Sequence, residues 1–368
     1  MRIVFIISQL TNGGAEREVA AFANELVKMG EEVHIVCIHD VADDYAVDER
    51  VHRHWLRTSA ISARRLKKIC TPLLMAVQLR KIHGDAILSF YVPHDYYFRL
   101  FFATAFSKTR LIYTVRCNPE KEIPDRRDRR RKDLACRAAD GVWIQTEAQR
   151  QFFPRSMQKK LFIVHNILDP RFLEIERITP KKIIHFISVG RLHPQKNQKL
   201  LVEAFARLIQ KTGNQSATLT IYGQSRKNYR QTEEELKERI RSLQLEDRVF
   251  LPGRVKDIEK KYEEADAFVF GSDYEGMPNA LMEAMASGLP CISTDCATGP
   301  SALITTGEDG LLVPVGDVEA MAQAMEYLIR YPQQANRLGQ AARLRMREWG
   351  TAEGQTESLL EHLHRICF

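Results

Sequence analysis

The sequence predicts an α/β protein built from two doubly wound domains, and three observations carry that expectation. Short apolar runs alternate with helix-period segments from end to end, the pattern of parallel sheets with crossover helices. The text turns polar near Asn166–Pro170 and again over Ile175–Lys182, after which a fresh series of apolar runs begins. At 368 residues the chain is too long for one typical core and suits two.

In the first series the strand candidates are Ile3–Ser8, Glu32–Cys37, Ala86–Phe90, Leu111–Val115, Val142–Thr146 and Leu161–Val164. In the second they are Ile183–Val189, Ala217–Tyr222, Arg248–Leu251, Ala267–Phe270, Pro290–Thr294 and Gly310–Val313. The closing stretch, Met321–Cys367, is helical in pattern and broken at Pro332 and Gly350. The expected domains are therefore 1–170 and 183–345, joined by a linker over 171–182, with 346–368 running back onto the first.

Composition sets the class. Apolar residues make up 44% and charged residues 27%, the balance of a globular protein in water. Met1–Ser8 reads as a first buried strand and not as a signal peptide. The longest apolar candidate for a membrane span, Phe98–Phe106, is too short and carries Arg99. The seven cysteines are odd in number, scattered and without a C-x-x-C pair, which points to reduced thiols in a cytoplasmic protein. The net charge of +7 is one-sided: residues 1–170 hold 28 Lys/Arg against 20 Asp/Glu, and the remainder 26 against 27. The first half is thus expected to face something anionic.

Three segments carry candidate site residues. In Ser272–Pro290, SDYEGMPNALMEAMASGLP, a strand gives way to a Gly/Pro-bearing turn and then a helix of good formers. Ligands of open α/β sheets bind beyond the carboxyl ends of strands, and a helix start offers N–H groups to a phosphate. Glu275 and Glu283 are eight apart and are suited to accept hydrogen bonds from sugar and ribose hydroxyls; an ordinary loop and helix carboxylate is the plainer alternative. In Ser188–Asn197, SVGRLHPQKN, Arg191 and Lys196 place two cations at a strand end, able to neutralise a diphosphate as a sugar leaves it. In Leu10–Arg17, LTNGGAER, Gly13 and Gly14 permit close approach of the backbone to a ligand, without a G-x-G-x-x-G fingerprint.

Taken together, GGAER, VGRLHPQKNQKLLVEAF, SDYEGMPNALMEAMASGLPCI and GLLVPVGD resemble glycosyltransferase family 4, the retaining group 1 glycosyltransferases of GT-B architecture. The resemblance covers nearly the whole chain. It implies two Rossmann-like domains facing across a cleft, an N-terminal acceptor domain and a C-terminal nucleotide-sugar donor domain. It implies that Arg191 and Lys196 bind the donor diphosphate and, with Glu275, form the catalytic set. Glu275 and the Gly276, Met277 and Pro278 backbone would hold the sugar, Asn279 and Ala280 the phosphate, and Glu283 the ribose. Gly13 and Gly14 would close on the donor, and Gly223 and the Gly253–Val255 turn would line the nucleotide pocket. Many relatives have a His where YTVRCNPEKE places Arg116, here a candidate acceptor residue, and a Glu where Gly299–Pro300–Ser301 is followed by Ala302.

The resemblance further implies transfer with retention by front-face attack, a UDP-sugar donor with a GDP-sugar as the alternative, and a polyprenyl-diphosphate-linked glycan acceptor. No required metal or other cofactor is expected: Asp43–Asp44 and Asp125-x-x-Asp128 lack the strand-end Asp-x-Asp context, and the eleven histidines show no H-x-x-x-H helix. Basic runs at Arg64–Lys68 and Arg126–Lys132, with Leu66, Ile69, Leu73 and Val77 at helical spacing around Pro72, point to an anionic membrane surface. A solvated basic face is the plainer alternative. The aromatic cluster Tyr91–Phe102 suits a lipid tail or a core. The expected place is the cytoplasmic face of the cell membrane, with no nucleic-acid partner because no such motif accompanies the basic runs. A nucleotide-sugar epimerase and a non-catalytic partner subunit remain as rivals.

Overall fold

A computed structural model describes residues 1–11, 13–41, 45–56, 64–90, 108–121, 125–177, 182–214, 216–349 and 351–368. The aromatic cluster Tyr91–Phe102, Asp43–Asp44 and the central part of the linker expectation, 178–181, lie outside them. The chain forms two compact units, Met1–Ile167 with Thr351–Phe368, and Leu168–Gly350.

The first unit is built on a seven-stranded sheet with every pairing parallel. Its strands are β1 (Arg2–Ile7), β2 (Glu32–Cys37), β3 (His52–Trp55), β4 (Ala86–Ser89), β5 (Arg110–Thr114), β6 (Gly141–Ile144) and β7 (Leu161–Ile163). They run in the order β3-β2-β1-β4-β5-β6-β7. β1 is apolar at every position from Ile3 because both faces are covered: Ile3, Phe5 and Ile7 enter one core, Val4 and Ile6 the other. The strand β3, reading HRHW, was not expected from the sequence. It is a half-exposed edge strand, so no apolar run marks it.

Trp143 of β6 anchors the first core, with Phe22 and Phe90 edge-on at 5.0 and 5.3 Å and its indole N–H donating to the Val164 carbonyl at 2.8 Å. The helix Ala352–Cys367 buries Leu359 and Leu363 in the same core. A single helix spans Arg64–Ile82 with Pro72 inside it. Asp125 and Asp128, considered as a metal pair, belong to the start of the helix Arg126–Ala138: Asp125 Oδ1 accepts from the backbone N–H groups of Arg127 and Asp128.

The second unit holds six parallel strands: β8 (His185–Val189), β9 (Thr218–Tyr222), β10 (Val249–Gly253), β11 (Ala267–Phe270), β12 (Cys291–Thr294) and β13 (Leu311–Val313). Their order is β10-β9-β8-β11-β12-β13. Leu168, Phe172 and Ile175 are buried in this unit's core, so the segment read as linker from 171 is packed structure as far as Ile175. The apolar side chains that drive this are spaced too irregularly to announce an element. Both sheets share the doubly wound order in which the chain departs in opposite directions from two central neighbours, here β1/β4 and β8/β11. All seven cysteines are free. Among the described residues no helix is long and apolar enough to cross a membrane.

Candidate active site

In the second unit the two strongest segments follow the two strands at which the winding reverses. The segment Gly190–Asn197 leaves β8, the loop Gly271–Pro278 leaves β11, and β8 and β11 are hydrogen-bonded neighbours. Their carboxyl ends therefore open side by side, the position from which such sheets bind ligands.

Local chemistry holds the two loops together. After Arg191, which is exposed, a 3-10 turn over Pro194–Lys196 is capped by His193, whose Nδ1 accepts from the Gln195 N–H. Asn197 then adopts the left-handed conformation at φ +42°, which Asn tolerates better than other side chains. Its Oδ1 caps the helix Gln198–Thr212 at Leu200 N, and its Nδ2 donates to Asp273 Oδ1 at 2.8 Å in the other loop. Gln195 Nε2 donates to the Tyr274 carbonyl at 2.7 Å, and Asp273 N to the Gln195 carbonyl at 2.8 Å. The result is one ion pair at the centre: Lys196 Nζ donates to Glu275 Oε1 at 2.6 Å, with the Lys side chain 18% and the Glu side chain 8% exposed. Lys196 also stands 5.0 Å over the Phe270 ring.

Gly276, Met277 and Pro278 are buried, and the helix Asn279–Ala286 starts directly behind them with Pro278 as its cap. Glu283 is buried one turn along that helix, and the Tyr262 hydroxyl donates to its Oε2 at 2.9 Å. Thr298 Oγ1 donates to the Glu275 carbonyl, bracing the loop from the β12 side. Gly299 sits at φ +96°, where a Cβ would lie 2.5 Å from the Gly276 carbonyl, so the turn that continues to Ala302 abuts the same loop. Tyr262, Asn197 and Thr298 were not singled out in the sequence. Their signal is tertiary: each meets a site residue distant in sequence, Tyr262 at Glu283, Asn197 at Asp273 and Thr298 at Glu275.

The electrostatics are cationic around His193. Burial pushes its ring below the usual histidine range, Arg191, Lys196 and Arg226 push the same way, and Glu275 opposes them. A bound diphosphate would reverse that balance, so the His193 pKa is expected to rise on adding a nucleoside diphosphate. NMR titration of its ring protons checks this.

Gly223 ends β9 against this site. It sits at φ +146°, its N–H donates to the Gly253 carbonyl at 2.9 Å, and a Cβ would meet the Gly190 carbonyl oxygen at 1.8 Å. Gly223→Ala is expected to cost about 2–3 kcal/mol of stability, read by urea unfolding, because backbone and not a flexible side chain must yield. Val255 is half-buried and packs against the core that holds Leu281, Met282 and Met285.

The remaining candidates lie in the first unit. Gly13 and Gly14 begin the helix Gly14–Lys28, as a strand-to-helix turn requires. Arg116, two residues beyond β5, is a buried cation stacked over Phe90 and Trp143 at 5.0 and 5.1 Å, with Nη2 donating to Asn166 Oδ1 at 2.6 Å. Burial lowers its pKa to about 10 against the pull of Glu18, so it stays charged at neutral pH.

Residues 172–345 match the family described as glycosyl transferases group 1, a span that includes Arg191, Lys196, Glu275 and Glu283 but none of the first-unit candidates. The second unit is a group 1 glycosyltransferase domain. Relatives align beyond that unit, over nearly the whole chain. An uncharacterized glycosyltransferase of Haemophilus influenzae is 26% identical over 94% of this chain and 95% of its own. A Campylobacter jejuni N-acetylgalactosamine-N,N'-diacetylbacillosaminyl-diphospho-undecaprenol 4-alpha-N-acetylgalactosaminyltransferase is 27% identical over 89% of each. Among solved structures, HepE of Anabaena in complex with UDP and glucose superposes with a TM-score of 0.82 at 19% identity, covering 99% of this chain and 100% of that one. That likeness concerns the fold, which is GT-B in both proteins.

Proposed function

We propose that this glycosyltransferase moves a hexose or N-acetylhexosamine from a UDP-sugar to a glycan carried on polyprenyl diphosphate, with retention and without a required metal. The Lys196–Glu275 pair, set where β8 and β11 open together, is the observation that carries this reading. Lys196 and Arg191 supply positive charge to a diphosphate, joined by the N–H groups of Asn279 and Ala280 at a helix start. Glu275 accepts from sugar hydroxyls, and Glu283, oriented by Tyr262, from the ribose.

Chemistry follows from what these groups are able to do. The bond from the anomeric carbon to the diphosphate oxygen breaks, and the nucleoside diphosphate leaves with the electron pair. The cations stabilise that growing charge more than they stabilise the ground state, which is what accelerates the step. Glu275 is committed to Lys196, so it is a poor nucleophile. The acceptor oxygen therefore bonds to the anomeric carbon on the face the diphosphate leaves, and its proton passes to a departing phosphate oxygen. The Campylobacter relative's diphospho-undecaprenol acceptor and the UDP bound to HepE support the choice of acceptor and donor.

The deciding experiment is a thermal-shift panel of nucleotides and nucleotide sugars with and without EDTA. A rise in Tm confined to the uridine series, of equal size in EDTA, is expected; no rise with any nucleotide overturns donor binding. The anomeric configuration of the product, read by NMR, tests retention.

The same reading places the protein at the cytoplasmic membrane surface. The helix Arg64–Ile82 exposes Leu66, Leu73, Leu74 and Val77, and its sequence opens with Arg64, Arg65, Lys67 and Lys68. An apolar stripe with basic neighbours suits an anionic bilayer. Charge reversal at those four basic positions is expected to weaken sedimentation with anionic vesicles at least tenfold; unchanged binding leaves only a solvated face.

A further inference from the structure

The first unit carries a cluster of histidines and one carboxylate that the transfer reaction does not use. β2 and β3 pair in parallel with His34 opposite His52 and Val36 opposite His54. Side chains two apart on a strand share a face, so Glu32, His34, His52 and His54 stand together on one side of the sheet edge. One ligand atom each from Glu32, His34 and His52 lies within 4.8 Å of the other two. His34 is buried, while Glu32 and His52 are exposed, so solvent has direct access to the group.

We propose that Glu32, His34 and His52 form a binding site for a divalent transition-metal ion, zinc being the best match. Two imidazoles and one carboxylate are a borderline-soft donor set that suits zinc, with water in the fourth position. The Glu32 carboxylate takes Arg2 Nε at 2.8 Å and His34 Nε2 at 3.0 Å, both on Oε1. Coordination through Oε2 leaves the Arg2 contact in place. The Arg2 charge opposes a cation, which sets a moderate affinity and makes the carboxylate indispensable.

A second layer orients the buried ligand. His34 Nδ1 lies 3.0 Å from His54 Nε2, and His54 Nδ1 lies 3.0 Å from the Gln78 amide on the helix Arg64–Ile82. With the ion on His34 Nε2, the ring proton sits on Nδ1 and is donated to His54 Nε2. His54 then donates from Nδ1 to the Gln78 amide, whose oxygen and nitrogen exchange places. Such outer partners fix tautomer and ring direction at metal sites. The exposed His52 ring is stacked on His34 with centroids 4.8 Å apart, which holds the two imidazoles side by side.

The consequence is mechanical. β3 is an edge strand with little apolar surface, held by β2. An ion across His34 and His52 cross-links the two strands, and the His54–Gln78 chain couples them to the helix with the exposed stripe. The ion serves the first unit's stability, and the nucleotide-induced Tm rise stays insensitive to EDTA.

The test is calorimetric titration of the EDTA-stripped, dialysed full chain with zinc chloride, alongside thermal unfolding. The expected result is one saturable site that raises Tm, with His52→Ala and Glu32→Gln each weakening zinc binding at least tenfold. His52→Ala, at an exposed position, should leave the metal-free Tm unchanged. The proposal is overturned if the unaltered chain shows no saturable binding. It is equally overturned if the double variant binds zinc as well as the unaltered chain, which would place the ion elsewhere.

Discussion

Replacing Lys196 by alanine is expected to lower kcat by about 100- to 1,000-fold while the protein stays folded. In the proposed mechanism the lysine offers its charge to the leaving diphosphate, and that charge is worth most in the transition state, so kcat should fall further than KM rises. A second effect comes from the ion pair itself. Removing Lys196 leaves the Glu275 carboxylate, 8% exposed, beside a site that receives a polyanion. Lys196→Ala should therefore weaken UDP binding as well as turnover, whereas Glu275→Ala should lower turnover at least tenfold and retain UDP binding. Equal loss of UDP binding in both would show that the pair acts as a structural brace. Near-normal turnover in both would remove the site assignment altogether.

Glu283→Ala is the second large effect, expected to reduce kcat/KM for the donor by about 10- to 100-fold, mainly through KM. A carboxylate accepting hydrogen bonds from ribose hydroxyls contributes about 1.5–3 kcal/mol, and each 1.4 kcal/mol is a factor of ten. The contact is remote from the breaking bond, so it is retained in both ground and transition states. Tyr262→Phe separates positioning from contact. The ring is fully buried and remains in place, while the hydroxyl that donates to Glu283 at 2.9 Å is lost. A smaller loss, about three- to tenfold in kcat/KM, is expected with unchanged kcat. A Tyr262→Phe enzyme indistinguishable from the parent would mean Glu283 is aimed by its helix alone.

The positions of most strands along the chain were legible because a parallel strand covered on both faces reads as a continuous apolar run, as β1 does. The same logic hid β3: an edge strand reading HRHW has one covered side and no apolar run to announce it. Glu275, Glu283, Arg191 and Lys196 were legible as chemistry because charged residues at strand ends and helix starts are conspicuous against apolar surroundings. Their partners were not. Tyr262 reads as one aromatic in a charged helix, Asn197 as a turn residue, and Thr298 as part of a loop, until the fold sets each against a site residue.

The histidines mark the limit most clearly. On the chain, Glu32 and His34 are separated from His52 and His54 by a long stretch without any sign of pairing. Only the parallel register of β2 and β3 sets them opposite each other.

What the sequence determined by itself was the alternation of buried strands and helices, the excess of positive charge in the first half and the cations and carboxylates that stand at strand ends and helix starts. These are properties of composition and short-range period, which the covalent order already contains. The tertiary structure decided which strand ends open side by side, which cation meets which carboxylate and which polar groups orient them. Those depend on strand order and register, set by burial of two faces of each sheet at once, and no local stretch of the chain encodes that balance.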